Sequence, residues 1–328
     1  MIEKLSLKTL GRFIPLIGLL LFIYIIYNIG IDDILESFRL IPPIYFMLAL
    51  LVFLPKLILA TYKWQYISRL QKMNFQFWTL AKFLLISLFY GSVTPGALGL
   101  HVRIYFIKSR TTEPFEKCIA NSLIDSWLAL ISGLFLGLIG SLIILNDHPE
   151  IFSVILIFLL IYIGIFVFFM GKHRGSKIFN FILGSLLPKG YRENLDTTIS
   201  SLYKDIPKIK DLLFPLGIDL IIWFIAASQV YVLAQAFSIP LSYLPFVLIS
   251  IISVIISNVI PISVGGLGVR EGAFVVMLAS YGIPYDIAFV LSLAGFLVKN
   301  LIPGLVGIII AFLPAQKEHI PSPLHQPD

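Results

Sequence analysis

Cysteine occurs once in this chain, at Cys118. A single thiol excludes a disulfide framework and a cysteine-based metal site. Histidine is nearly as scarce. His101, His148, His173, His319 and His325 are scattered without ligand-like spacing, so neither a metal nor a cofactor is expected. Charge is the third scarcity: Asp, Glu, Lys and Arg together make up 13% of the residues, and no long polar stretch exists that would fold as a soluble catalytic domain. That argues against an enzyme. The net charge of +6 is not read as a nucleic-acid signal, because in a membrane protein Lys and Arg collect in the loops on the cytoplasmic side.

Apolar residues fill the space that charge leaves, at 58% of the chain. Several runs approach or exceed the roughly 20 residues that cross a bilayer. The expected fold is an all-α polytopic integral membrane protein with about 6–8 transmembrane helices and two re-entrant hairpins. Lys4, Lys8 and Arg12 precede a first span at 12–30, placing the N-terminus in the cytoplasm of an inner, cell-membrane protein. No small-x-small cleavage site follows, so that span is read as retained. A second span opens at Pro42 and Pro43 and ends near Lys63, Trp64 and Arg69; others cover 118–145, 151–171, 212–236, 245–260 and 287–313, the last interrupted at "VKNLIPG". One membrane domain, 1–313, precedes a polar tail, 314–328. The basic loop 172–210 carries Leu195, Ile199, Leu202 and Ile206 at helical spacing and is read as an amphipathic helix on the inner leaflet.

Two apolar runs are broken in the same way. "SVTPGALGLHVR" has Pro95 and Gly96 and then Gly-Leu-His-Val-Arg at 99–103; "VIPISVGGLGVRE" has Pro261 and then Gly-Leu-Gly-Val-Arg at 266–270. The second string follows the first by about half the chain, which suggests an inverted repeat, with halves at about 1–145 and 151–313 and the substrate site where the breaks meet. Non-helical backbone survives at membrane depth only where protein or a water-filled cavity surrounds it. Pro95 and Pro261 stop helices, while Gly265, Gly266 and Gly268 permit left-handed backbone. Helix N-termini opening into the break, with Arg103 and Arg270, suit a phosphate group. Glu271 either neutralises Arg270 or receives a ligand's amine. Arg103 alternatively snorkels to the inner surface.

Four further charges sit inside apolar runs: Lys56, Asp125, Asp219 and Lys299. An arginine near the bilayer centre costs about 2.5–3.5 kcal/mol on insertion scales, and ionisable residues there mark functional paths. These four suggest a polar interior path, or else internal ion pairs such as Asp219 with Lys299. Asn258 and Asn300 stand where they would hydrogen-bond the broken backbone.

The stretch "NVIPISVGGLGVREGAFVVMLASYGIP", with Thr94, Pro95, Gly96, Gly99 and Arg103 earlier, resembles the lysylphosphatidylglycerol synthase transmembrane, or flippase-like, family over about residues 10–313. His101 stands where members often carry an acidic residue. The resemblance implies a stand-alone membrane region without the aminoacyltransferase domain, and translocation of lipid rather than its synthesis. The expected partner is a membrane lipid, a phospholipid or a polyprenyl phosphate, bound by Arg103, Arg270, Glu271 and the glycine and proline breaks, and moved by rocking of the two halves. Two other readings stay open. One is a membrane glycosyltransferase using acids such as Asp32 and Asp33, which otherwise simply favour the start of a short helix. The other is an accessory subunit of a lipid-modifying enzyme. A homo-oligomer is compatible with each.

Overall fold

The computed structural model describes residues 20–94, 96–144, 149–171, 201–260 and 263–312. Among the described residues the regular structure is helical, with a single bridge residue, Val264, and no strand. Helices α1 (Leu20–Ile29) and α2 (Ile31–Arg39) form an opening pair that turns at Gly30. Asp32 and Asp33 lie in the first turn of α2 and Arg39 in its last, each where the helix dipole favours its charge. Then come α3 (Pro43–Leu70), α4 (Phe77–Val93), a 3-10 turn (Leu98–Val102), α5 (Arg103–Lys108) and α6 (Phe115–Ser141). Helix α7 (Pro149–Met170) follows, and after it α8 (Leu213–Ala234), α9 (Tyr243–Val259), α10 (Val269–Ala279) and α11 (Tyr285–Phe296). A π turn (Leu297–Leu301) joins α11 to α12 (Ile302–Phe312).

Among the described residues, five helical segments are long and apolar enough to cross a membrane: Pro43–Leu70, Phe115–Ser141, Pro149–Met170, Ile209–Phe237 and Tyr285–Phe312. Leu20–Ile29, Phe77–Val93 and Tyr243–Val259 are shorter apolar helices. Leu51, Leu54, Ile58, Ile157, Leu160 and Ile309 are exposed on the outside of the bundle, as an apolar solvent requires. The break expected at "VKNLIPG" is a widened turn within one continuous segment. Pro303 has no N–H for the carbonyl four residues back, that of Lys299, and the π turn absorbs the mismatch.

The order of helix lengths repeats. A 28-residue helix, α3, is followed by the 17-residue α4, a glycine-rich break, the short α5 and the 27-residue α6. Later a 29-residue segment, Ile209–Phe237, is followed by the 17-residue α9, a glycine-rich break, α10 and the 28-residue α11–α12 segment. The starts of these elements pair off at a nearly constant offset: Pro43 with Ile209, Phe77 with Tyr243, and Phe115 with Tyr285. The packing repeats too. Helix α4 lies against α12 and α9 lies against α6, so each short helix packs on the other unit's last long helix, while α3 and α8 pack on each other. The two units are therefore interlocked and share one core, in which Phe246, Phe274 and Phe289 are among the largest fully buried side chains.

Glycine decides how close α12 comes to α4. A Cβ built at Gly307 would stand 2.4 Å from the backbone carbon of Leu85, and one at Gly304 would stand 2.6 Å from the backbone nitrogen of Phe89. Such contact is how helices associate in lipid, where van der Waals packing replaces the hydrophobic drive.

At one end of the bundle, Lys117 at the start of α6 is fully buried between Glu113 and Asp205, each 2.9 Å away. Lys72 reaches Asp205 at 2.7 Å and Lys204 reaches Glu113 at 3.1 Å. Exposed pairs contribute little, but the buried Lys117 leaves an uncompensated charge if its partners go. Hydrogen bonds from Lys72 and Lys117 hold the Asp205 carboxyl down at about 2, and Lys117 and Lys204 likewise hold Glu113 below its ordinary value. Beside this cluster Leu202 and Tyr203 are buried in the protein core. That corrects the expected amphipathic helix at Leu202, which turns inward rather than to lipid; Leu195 and Ile199 fall outside the described residues, as do most of loop 172–210 and the tail.

Two outcomes follow. Gly307→Val should lower stability by about 1–3 kcal/mol, the usual effect of overpacking, as read from the unfolding temperature in detergent. Gly164→Ala on α7, where a Cβ meets nothing within 4 Å, should change it by less than Gly307→Val does. Because the folded Asp205 carboxyl lies below its unfolded value of 3.8, its tie stabilises fully above about pH 4 and is lost as pH falls from there towards 2. Amide exchange in residues 201–206 should accelerate over that interval in the natural protein, and Asp205→Asn should be fast throughout.

Candidate functional site

The two broken loops meet. The Gly96 N–H donates to the Ser263 carbonyl at 3.2 Å, and the Gly265 N–H donates to the Thr94 carbonyl at 3.3 Å. This is the bond pair of one antiparallel bridge. It satisfies backbone groups that neither helix retains after its last turn. Gly265 makes the approach possible. Its φ is +58°, and a Cβ there would stand 2.5 Å from the Ser92 carbonyl oxygen. Gly266 and Gly268 are also left-handed, at +80° and +84°. Pro95 and Pro261 lie outside the described residues.

Arg270 and Glu271 open α10 and are buried, at 5% and 0% exposure. Glu271 folds back to accept the Gly268 N–H at 2.7 Å, one half of a capping box. Arg270 folds back as well, donating to the Gly265 carbonyl at 3.2 Å and stacking over Phe296 at 4.6 Å. Both side chains turn towards the glycine loop, so the guanidinium and carboxylate pair directly although the residues are adjacent. Farther along a helix neighbours diverge; at its first turn, curling back over the N-terminus brings them together. Of the two readings of Glu271, the geometry holds the neutralising one. Ser292 on α11 stands 3.5 Å from the same carboxylate.

Arg103 occupies the matching place in the first unit. It is buried at 5% exposure rather than snorkelling. It donates to Asp125 at 2.6 Å, to Ser122 Oγ at 2.9 Å and to Ser126 Oγ at 2.9 Å, and it stacks over Trp64 at 5.1 Å. His101 Nδ1 lies 3.0 Å from Ser122 Oγ. Ser122 on α6 and Ser292 on α11 hold matching places in the two units, and each joins the ionic group of its own unit.

Lys63, read from sequence as the end of a span, is the hub of the interior charge. Its ammonium lies 2.9 Å from Asp125 and 2.7 Å from Asp219. Arg103, Asp125, Lys63 and Asp219 thus form an alternating, neutral row. Asp219 pairs with Lys63 and not with Lys299. The available signal was that Lys63 follows Lys56 by two helical turns, on one face of α3. Gln229 was also missed. It holds the place on α8 that Lys63 holds on α3, and it donates to the Ala49 carbonyl at 2.9 Å, stitching α8 to α3.

Lys56 and Lys299 have no carboxylate partner among the described residues. Lys56 donates instead to the Lys299 carbonyl at 3.2 Å, the group freed by Pro303. Both side chains line a cavity of about 220 Å³ together with Asp219, Ser250, Arg270 and Asn300, closed on the apolar side by residues such as Trp223 and Ile251. The Asp219 Oδ2 atom is buried without a hydrogen-bond partner among the described residues. A second chamber of about 180 Å³ lies between the loops, lined by Gly96, Ala97, Gly265, Gly266 and Asn258. Val254, Arg270 and Asn300 line both, so the two share a wall. Arg103 is not among the residues lining either one; it reaches the cavity only through the ionic row ending at Asp219.

Membrane-length helices around loops that bond each other inside the bundle define an all-α, multi-pass membrane protein. The chain matches the model of the family described as the lysylphosphatidylglycerol synthase TM region over residues 13–307 and belongs to that family. It is similar to two proteins of Methanothermobacter thermautotrophicus, each named a UPF0104 membrane protein. One is 26% identical, covering 86% of this chain and 87% of the relative; the other is 24% identical, covering 90% and 92%.

The ionic row makes a specific forecast. Lys63→Met leaves Asp219 buried and unpaired and should cost about 3–5 kcal/mol. Lys63→Met with Asp219→Asn restores neutrality, since Arg103 still holds Asp125, and should recover most of the lost unfolding temperature.

Proposed function

We propose that the chain carries an anionic lipid headgroup between the two leaflets of a membrane. The observation that supports this most directly is the meeting of the broken loops from two equivalent units beside a cavity that holds three cationic side chains, Lys56, Arg270 and Lys299. Helix breaks facing each other across a midplane site are the usual plan of alternating-access carriers. A headgroup entering from the side would leave its acyl chains in lipid and exchange its hydration for the cations that line the cavity. Movement of the α4–α12 pair against the α6–α9 pair would then open the cavity to one leaflet or the other. In this reading the chain is a carrier and performs no reaction, its N-terminus is cytoplasmic, the membrane is the cell membrane, and nucleic acid is not a partner. Any lipid-modifying enzyme would act on the same lipid separately.

An enzymatic alternative has its own feature. Asp33, Glu36 and Asp286 line an open cavity of about 450 Å³ beside α2, which would face a sugar donor if the chain were a glycosyltransferase. Sugar transfer by the purified protein, lost on Asp33→Asn, would favour it.

Translocation is tested in proteoliposomes carrying fluorescent phosphatidylglycerol, by the fraction reduced by dithionite. The natural chain should expose the inner-leaflet label, and Arg270→Met with Glu271→Gln, which removes the charges together and leaves no orphan, should slow this tenfold or more. Unchanged rates in that variant would remove the loop site from the mechanism, and no translocation by the natural chain would remove the carrier reading.

A further inference from the structure

The interior charges do not cancel, and the remainder is localised. With each side chain in its ordinary ionised form, Arg103, Lys63 and Arg270 are matched by Asp125, Asp219 and Glu271, each of these bases lying within ion-pair distance of one or two of the acids. Lys56 and Lys299 are left over. Both line the same 220 Å³ cavity, and the Lys56 ammonium is held against the backbone of Lys299 itself. Lys299 is nine-tenths buried and makes no ion pair among the described residues. A low-dielectric interior does not tolerate two uncompensated cations: they give up protons or are met by a counter-charge.

Lys56 directly follows Pro55 inside α3, and Lys299 sits in the π turn ahead of Pro303. Neither lysine has a carboxylate within ion-pair distance among the described residues. Arg270, by contrast, meets Glu271 in its own first turn, and Arg103 meets Asp125 on α6. The row from Arg103 to Asp219 is neutral and spans both units, and the excess of two positive charges, one lysine from each unit, lies in the cavity.

Resting on the carrier reading of the same cavity, we infer that its ligand bears two negative charges on one phosphate: a phosphomonoester head, held between Lys56 and Lys299. A phosphodiester head such as that of phosphatidylglycerol carries one charge and leaves one lysine unmatched. A head whose phosphate is balanced by an amine leaves both. A phosphomonoester approaches two charges above its second ionisation, near pH 6, and ammonium groups serve phosphate as point charges that need no bidentate geometry. The half-satisfied Asp219 on the same cavity disfavours a head with further negative charge on that side and would accept a hydroxyl of the ligand.

The test is equilibrium binding, which needs no transport. Full-length protein in detergent is mixed with short-chain phosphatidic acid or with phosphatidylglycerol of the same chains, at about pH 8 where the monoester is doubly ionised, and the bound lipid is counted by native mass spectrometry. The natural chain should prefer phosphatidic acid by tenfold or more. Lys56→Met and Lys299→Met should each reduce that preference several-fold and together abolish it, phosphatidic acid binding falling by the larger factor. The double variant should unfold at no lower temperature than the natural chain, because the removed charges are unpaired; if it fails to fold, Lys56→Gln with Lys299→Gln gives the same comparison. Displacement of phosphatidic acid by inorganic phosphate assigns the dianion site to the free ion, and persistence of the lipid assigns it to the lipid; both keep the site. Equal binding of the two lipids, or a preference that survives in the double variant, overturns the proposal. Translocation of phosphatidylglycerol alongside equal binding would leave the carrier reading intact and remove only this one.

Discussion

A backbone that leaves its helix inside an apolar bundle must find new partners for its N–H and C=O groups, and this requirement governs the rest of the molecule. Here each broken loop is the other's partner: Gly96 bonds Ser263, and Gly265 bonds Thr94. Neither loop is satisfied alone. The two bonds fix where α4 and α9 end and which glycines the turn needs. They also set where the helices that restart, α5 and α10, place their first residues. Arg103 and the Arg270–Glu271 pair are carried to the interior by that geometry, because each follows the break by a few residues.

Equivalent positions have taken different chemistry. The first unit answers its arginine with Asp125 and extends the answer through Lys63 to Asp219. The second answers its arginine with the very next residue. Where the first unit has Lys63 the second has Gln229, which bonds backbone and carries no charge. A duplicated framework thus keeps its serine and arginine anchors in both units while concentrating unmatched charge on one cavity.

Much of this was legible in the sequence, for identifiable reasons. Long apolar runs have one low-energy state in lipid, so the membrane class and most helix positions follow from length and composition. The matching strings at 99–103 and 266–270 pointed to the convergence of the breaks, because proline and glycine constrain backbone locally. Partners were what stayed hidden. Nothing local ties Lys63 to Asp219, which lies on a distant helix in the other unit, and a lysine near the end of a run reads most simply as an interface residue. The break at "VKNLIPG" was placed correctly and read too strongly, since a single π turn accommodates Pro303 without ending the helix. Burial of Leu202 was hidden for the same reason as Lys63: an apolar stripe shows that one face is covered, not whether lipid or protein covers it.

The crossed packing of the two units has a consequence for biogenesis. A chain threaded into the bilayer from its N-terminus delivers α4 long before α12, yet α12 supplies the glycine face on which α4 closes. Until the second unit arrives, the first break has no Ser263 to bond and α4 lacks its glycine-lined neighbour. The leading unit is therefore committed to waiting, exposed, for the trailing one, and a nascent chain stalled before α12 presents an unfinished polar seam that membrane quality control is equipped to recognise.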